Sequence, residues 1–128
     1  WEKRREYFFH STERVVKMAL IHLNEEGFDK ALFSGVPMLV DFWATWCTHC
    51  KPLGPIFEQL GEEYEGKNVL IGKVDVDEAP AVAAKYGIMG VPTVVLIQNG
   101  RETDRKVGGM PYDVYTEMLD AVLGGDET

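Results

Sequence analysis

Apolar and polar positions along this chain switch repeatedly between the period of a strand and the period of a helix. "MALIHL" at 18–23 has strand character, and Asn24 behind it is placed to cap a helix with Phe28, Ala31 and Leu32 on one face. Gly35 and Val36-Pro37 stop that helix. The next run, "MLVDFWA" at 38–44, is almost continuously apolar and β-favouring, as in a central strand covered on both faces. From about Cys47 onward Leu53, Ile56, Phe57, Leu60 and Tyr64 recur at helical spacing. Pro52 and Pro55 each remove a backbone donor, which predicts a kink near Pro55. "NVLIGKVDVD" at 68–77 reads as a strand, "APAVAAKYG" at 79–87 as a short helix ending at Gly87, and "TVVLIQ" at 93–98 as a third buried strand. Asn99 and Gly100 both tolerate positive φ and predict a hairpin that returns the chain antiparallel through "ETDRKVG". Pro111 suits the first position of a last helix whose stripe is Val114, Tyr115, Met118, Leu119 and Val122, ended by Gly124-Gly125. Alternating strands and helices with one hairpin predict an α/β domain built on a mixed sheet. It is expected to span residues 18–128, behind an N-terminal extension, residues 1–17, for which an extra helix is one candidate form.

Composition narrows the function classes. A chain of 128 residues favours one domain, able to bury about two-thirds of the surface of its unfolded form without cross-links. Thirteen Lys and Arg against 21 Asp and Glu leave a formal charge of −8, which opposes the phosphate-neutralising surface that nucleic acid requires. The cluster Lys3-Arg4-Arg5 is too short to reverse this. Apolar stretches fall short of the roughly 18 residues of a membrane span, and "VVKMALIHL" is interrupted by Lys17 and His22. No membrane span and no signal peptide are expected, although the chain begins at Trp1 rather than Met.

The candidate chemistry lies in "WATWCTHCKP" at 43–52, which holds the only two cysteines, Cys47 and Cys50. As a staple the pair is poorly placed, since so short a loop stabilises by only about 2 kcal/mol in the chain-entropy model. As a structural zinc site it lacks ligands, because His49 lies between the cysteines while His10 and His22 are distant. A redox role fits better. A strand running into a helix places Cys47 at a helix N-terminus, where free N–H groups stabilise a thiolate, and Cys50 follows at i+3 on the same face, within reach to resolve a mixed disulfide.

"VDFWATWCTHCK" closely resembles the signature of the thioredoxin family, in which an acidic strand precedes W-C-G-P-C-K, and "GIMGVPT" at 87–93 resembles that family's second hallmark. The similarity continues through "KVDVDE" and "KVGG" and covers about residues 18–123. It implies a thioredoxin fold, with a central sheet of parallel and antiparallel strands flanked by helices. It also implies roles. Asp41 is similar to the buried carboxylate beneath the dithiol, where unpaired burial would raise its pKa and suit it to accept the Cys50 proton; the alternative is a strand-end aspartate facing water. Lys73 matches the family's partner lysine, and Pro92 its cis-proline, which leaves the backbone of Val91 free to pair with an extended substrate segment. Trp46, Gly90, Val91 and Gly108 would frame a shallow apolar groove, with Phe42 and Trp43 mainly in the core.

Three departures bear on what the resemblance implies. The dipeptide between the cysteines is Thr48-His49 rather than Gly-Pro, and His in the second place is similar to protein disulfide isomerase domains. A partly cationic imidazole there would favour the Cys47 thiolate and make the couple more oxidising. Met89 stands where many family members carry a polar residue and offers an adaptable apolar contact. The third is the segment 1–17 itself. The resulting expectation is a cytoplasmic, monomeric thiol–disulfide oxidoreductase without cofactor or metal. Its partners would be disulfide-containing protein substrates and a thioredoxin-reductase-like electron donor. A protein disulfide oxidase or isomerase is the alternative, and a redox-inactive binding module a third reading.

Overall fold

A computed structural model describes residues 20–125. In chain order it contains β1 (Leu20–His22), α1 (Glu25–Ser34), β2 (Met38–Trp43), a 3-10 turn (Thr48–Cys50), α2 (Leu53–Glu63), β3 (Leu70–Asp75), α3 (Pro80–Lys85), β4 (Thr93–Gln98), β5 (Arg101–Val107) and α4 (Tyr112–Gly125). The strands form one sheet in the order β1-β3-β2-β4-β5. β3 runs parallel to both β1 and β2, whereas β4 is antiparallel to β2 and to β5. This mixed sheet flanked by helices is the architecture the family resemblance implies. The extension 1–17 lies outside the described residues.

Side chains of successive strand residues point to opposite faces, and this alternation divides the core in two. Leu39 of β2, Ile71 of β3, and Val94 and Leu96 of β4 pack with Phe57 and Leu60 of α2 and Tyr115 and Leu119 of α4. Met38, Val40 and Phe42, with Val74, Val95 and Ile97, pack with Phe28 of α1 and Val82 of α3. Burial of β2 on both faces explains its unbroken apolar run, and it places Asp41, which shares the face of Leu39, inside the protein.

Local chemistry sets the element ends. Asn24 caps α1 by accepting a 2.7 Å hydrogen bond from the Gly27 amide. Asn99 (φ 54°) and Gly100 (φ 80°) form the expected hairpin, with Gln98 opposite Arg101. The β4–β5 register then shifts between Leu96 and Ile97, so that Thr103 is the extra residue of a bulge on the charged edge strand. Gly61 of α2 lets the helix approach β1 closely, since a Cβ there would lie 2.6 Å from that of Leu20.

The structure corrects several sequence-based boundaries. No continuous helix runs from Cys47, and no interior kink forms at Pro55. The 3-10 turn ends at Cys50, and α2 begins after Pro52. Pro55 thereby falls in the first turn of α2, where the amide it lacks would have had no helical acceptor. β3 is shorter than 68–77, Pro111 precedes α4 rather than opening it, and α4 continues through Gly124 to Gly125.

Candidate active site

The dithiol sits where β2 leaves the sheet. Cys47 and Cys50 are joined in a disulfide, with their Cα atoms 5.3 Å apart. Cys47 is the residue just before the 3-10 turn, and the Cys50 amide donates to its carbonyl at 3.2 Å. The eclipsed i, i+3 geometry of a 3-10 turn therefore does what the expected α-helical turn was to do, bringing the two sulfurs together. Both cysteines are nearly covered, packed with Ala44 and the half-buried Trp43, Val76 and Val91. Thr48 and His49 lie exposed on the turn between them.

A second segment closes over the first. The Val91–Pro92 peptide bond is cis, and the Val91 carbonyl oxygen lies 3.7 Å from Cys47 Sγ. In the disulfide that sulfur carries no hydrogen, so this is a contact rather than a hydrogen bond. Thr93 Oγ1 donates to the Gly90 carbonyl at 2.7 Å, and the Gly108 amide donates to the Pro92 carbonyl at 2.9 Å. Gly90, Val91, Pro92 and Gly108 are thus brought together beside the disulfide. Trp46 is 67% exposed, and its indole Nε1 donates to Asp77 Oδ2 at 2.7 Å.

Beneath the turn lies the carboxylate. Asp41 is wholly buried, neither oxygen accepts a hydrogen bond among the described residues, and its one counter-charge is Lys73 Nζ at 3.5 Å. The pairing follows from topology, because the parallel β2–β3 register sets Asp41 opposite Lys73 on the same face of the sheet. Burial pushes the Asp41 carboxyl up to about 6, the nearby ammonium opposing part of that rise. The reading of Asp41 as a strand-end residue facing water is therefore overturned. Lys73 Nζ also lies 5.0 Å from the centre of the Trp43 ring. A cleft of about 130 Å³ runs from Lys73 to the dithiol, lined by Trp43, Cys47, Cys50, Lys51, Gly54 and Lys73 among others; Asp41 itself lies behind Lys73 and does not line it.

Sequence reasoning missed three features here. Trp43, expected mainly in the core, is half-buried and forms a wall of the cleft, its Nε1 buried with no hydrogen-bond partner among the described residues. Asp77 holds the indole of Trp46, although the two are 31 residues apart. Val107, 66% exposed, stands opposite Thr93 and next to Gly108. Acidic and apolar residues at such positions carry no local sign of the partner they meet, so only the fold reveals these roles. No group of three or more His, Cys, Asp or Glu side chains suited to a metal occurs among the described residues.

A disulfide at the end of a central strand, flanked by a cis-proline segment and a buried carboxylate, defines a thiol–disulfide oxidoreductase of thioredoxin fold. A family model described as "Thioredoxin" matches residues 19–121, and the chain belongs to the thioredoxin family. It is 45% identical over 106 residues to the thioredoxin of Staphylococcus aureus strain Mu50, covering 83% of this chain and all of that one. The thioredoxins of S. aureus strains MW2 and COL match to the same extent. Among solved structures, a mutant thioredoxin from Halobacterium salinarum NRC-1 superimposes with a TM-score of 0.73 at 30% identity, covering 81% of this chain and 90% of that one. Membership implies disulfide-containing substrates and a reductase partner. No helix among the described residues is long and apolar enough to cross a membrane.

Proposed function

We propose that this protein reduces disulfides in protein substrates, with Cys47 as nucleophile and Cys50 as resolving thiol. The observation that carries this reading is the buried Asp41 carboxyl, raised to about 6 and paired with Lys73, which lines the cleft beside the dithiol. A redox-inactive scaffold would have no chemical use for a carboxylate held at such cost.

In the reduced protein, the Cys47 thiolate attacks one sulfur of the substrate disulfide. A mixed disulfide forms and the first substrate thiolate leaves. Amides at the start of the 3-10 turn favour the Cys47 thiolate. Cys50 then gives its proton to Asp41, and its thiolate attacks Cys47 Sγ, re-forming the disulfide and releasing the second substrate thiolate. Lys73 keeps part of the Asp41 population ionised near neutral pH and so ready to accept that proton. The Val91 backbone, held beside Cys47 by the cis-proline segment, pairs with an extended substrate strand, and Trp46, Met89, Gly90, Val91 and Gly108 form the surrounding groove. Electrons return from a thioredoxin-reductase-like donor, the cytoplasm being the compartment where such a reductant acts.

Asp41→Asn tests the proton step. Turnover of an insulin disulfide at pH 7 should fall about tenfold or more while the folded spectrum persists; an unchanged rate rejects the assignment. The exposed His49 favours a second reading, a more oxidising couple serving as oxidase or isomerase. The midpoint potential decides between them. About −270 mV supports a reductant, whereas a value near −180 mV, a difference of roughly 4 kcal/mol, supports the alternative.

A further inference from the structure

The segment between α3 and β4 presents one apolar side chain to solvent. Met89 is 94% exposed, and this is not looseness of the chain. The preceding Ile88 amide donates to Ala83 O at 2.9 Å, and the following Gly90 carbonyl accepts from Thr93. With the backbone pinned on both sides, the thioether stands out from a fixed base, two residues before the Val91 carbonyl that touches Cys47 Sγ. Trp46 and Val107 are the other large exposed apolar side chains on the segments that form the rim of the dithiol, Trp46 next to Cys47 and Val107 opposite Thr93.

Exposure separates Met89 from the other methionines of the described residues. Met38 and Met118 are buried, and Met110 is half-buried against the core around Tyr115. Thioether oxidation requires only that an oxidant reach the sulfur, so solvent access sets the order of reaction.

We propose that Met89 is a modification site, oxidised by hydroperoxides to the sulfoxide, and that the modification weakens docking of protein substrates at the dithiol. The second part rests on the function proposed above. In the step itself the thioether sulfur attacks the terminal oxygen of the peroxide. An S–O bond forms, the O–O bond breaks, and the leaving oxygen takes up the proton and departs as water or an alcohol. Sulfur is oxidised by two electrons and the peroxide is reduced by two. The product replaces a flexible apolar contact with a strongly dipolar one that holds water. An apolar substrate segment meeting this rim must then displace that water, whereas a small disulfide that touches only the sulfurs is unaffected.

The experiment treats the disulfide form with hydrogen peroxide, because in that form neither cysteine offers a thiolate. The protein is then reduced with dithiothreitol and its peptides are weighed by mass spectrometry. Met89 should oxidise at least about tenfold faster than Met38, Met110 and Met118. For insulin the treated-to-untreated ratio of kcat/KM should fall roughly fivefold through KM, the size of losing a partial apolar contact. For hydroxyethyl disulfide it should stay near one. Methionine sulfoxide reductases should restore the insulin ratio, and in Met89→Leu treatment should leave that variant's own ratio near one. Equal oxidation of Met38, Met89, Met110 and Met118, an unaltered insulin ratio, or an equal loss in Met89→Leu would each overturn the proposal. Failure of the untreated protein to reduce insulin would instead overturn the proposed function, while the order of methionine oxidation would still be readable.

Discussion

The buried carboxylate that serves the proposed chemistry should be a burden on the fold, and Asp41→Asn measures how large. Burial raises Asp41 from its ordinary 3.8 to about 6, so the folded protein binds this proton more tightly than the unfolded chain does. The stabilisation linked to that proton is fully present below about pH 4 and is lost as pH rises through about 6. Above that range the ionised carboxylate costs the folded state about 3 kcal/mol relative to its neutral form. Asparagine has nearly the same shape and cannot ionise, so the variant escapes this cost. The attraction of Lys73, only 12% exposed, is already contained in this figure, because it lowers the shifted pKa. The expected result is a variant more stable than the parent by about 3 kcal/mol at pH 8, with most of the advantage gone at pH 4. Urea titration of both proteins in the disulfide form, at the two pH values and with unchanged m, provides the measurement. A stability difference independent of pH, or one that shrinks as pH rises, would refute the reasoning. The first outcome would mean that Asp41 has the same pKa in the folded and unfolded protein, the second that folding lowers it.

Two further perturbations test neighbouring parts of the argument. Lys73→Met removes the charge that holds Asp41 down, so the carboxyl should rise above about 6 and insulin reduction at pH 7 should drop several-fold; a carboxyl resonance titrating at lower pH than in the parent would contradict this. Gly61→Ala places a Cβ 2.6 Å from that of Leu20 and 3.4 Å from its backbone nitrogen, neither of which can swing away. It should cost about 1–3 kcal/mol in urea unfolding, and a variant of parental stability would show that α2 and β1 are not tightly apposed.

Much of the fold was legible because its signals are local. The Asn99-Gly100 turn needs only two residues that tolerate positive φ, and the unbroken apolar run of β2 reports burial on both faces without naming what covers them. The start of α2 was misread because helical periodicity continues to hold in a 3-10 turn over so few residues, while the two prolines mark a break without fixing its place. For the site, the spacing of Cys47 and Cys50 was sufficient to indicate a couple, since sulfurs three positions apart on any tight turn are within bonding reach. The roles of Asp41, Lys73 and Pro92 came from likeness to a family rather than from spacing.

What the sequence determined by itself was the dithiol, the alternation of elements and the oddity of an aspartate in the middle of an apolar strand. Tertiary structure decided what that aspartate meets. Only the parallel register of β2 on β3 sets Asp41 against Lys73, only the closure of the 87–93 segment brings Val91 to Cys47, and only the loop after β3 carries Asp77 to Trp46. Each of these contacts joins residues more than 30 positions apart. Electrostatic and steric terms depend on separations in space, which strand pairing fixes and local sequence does not.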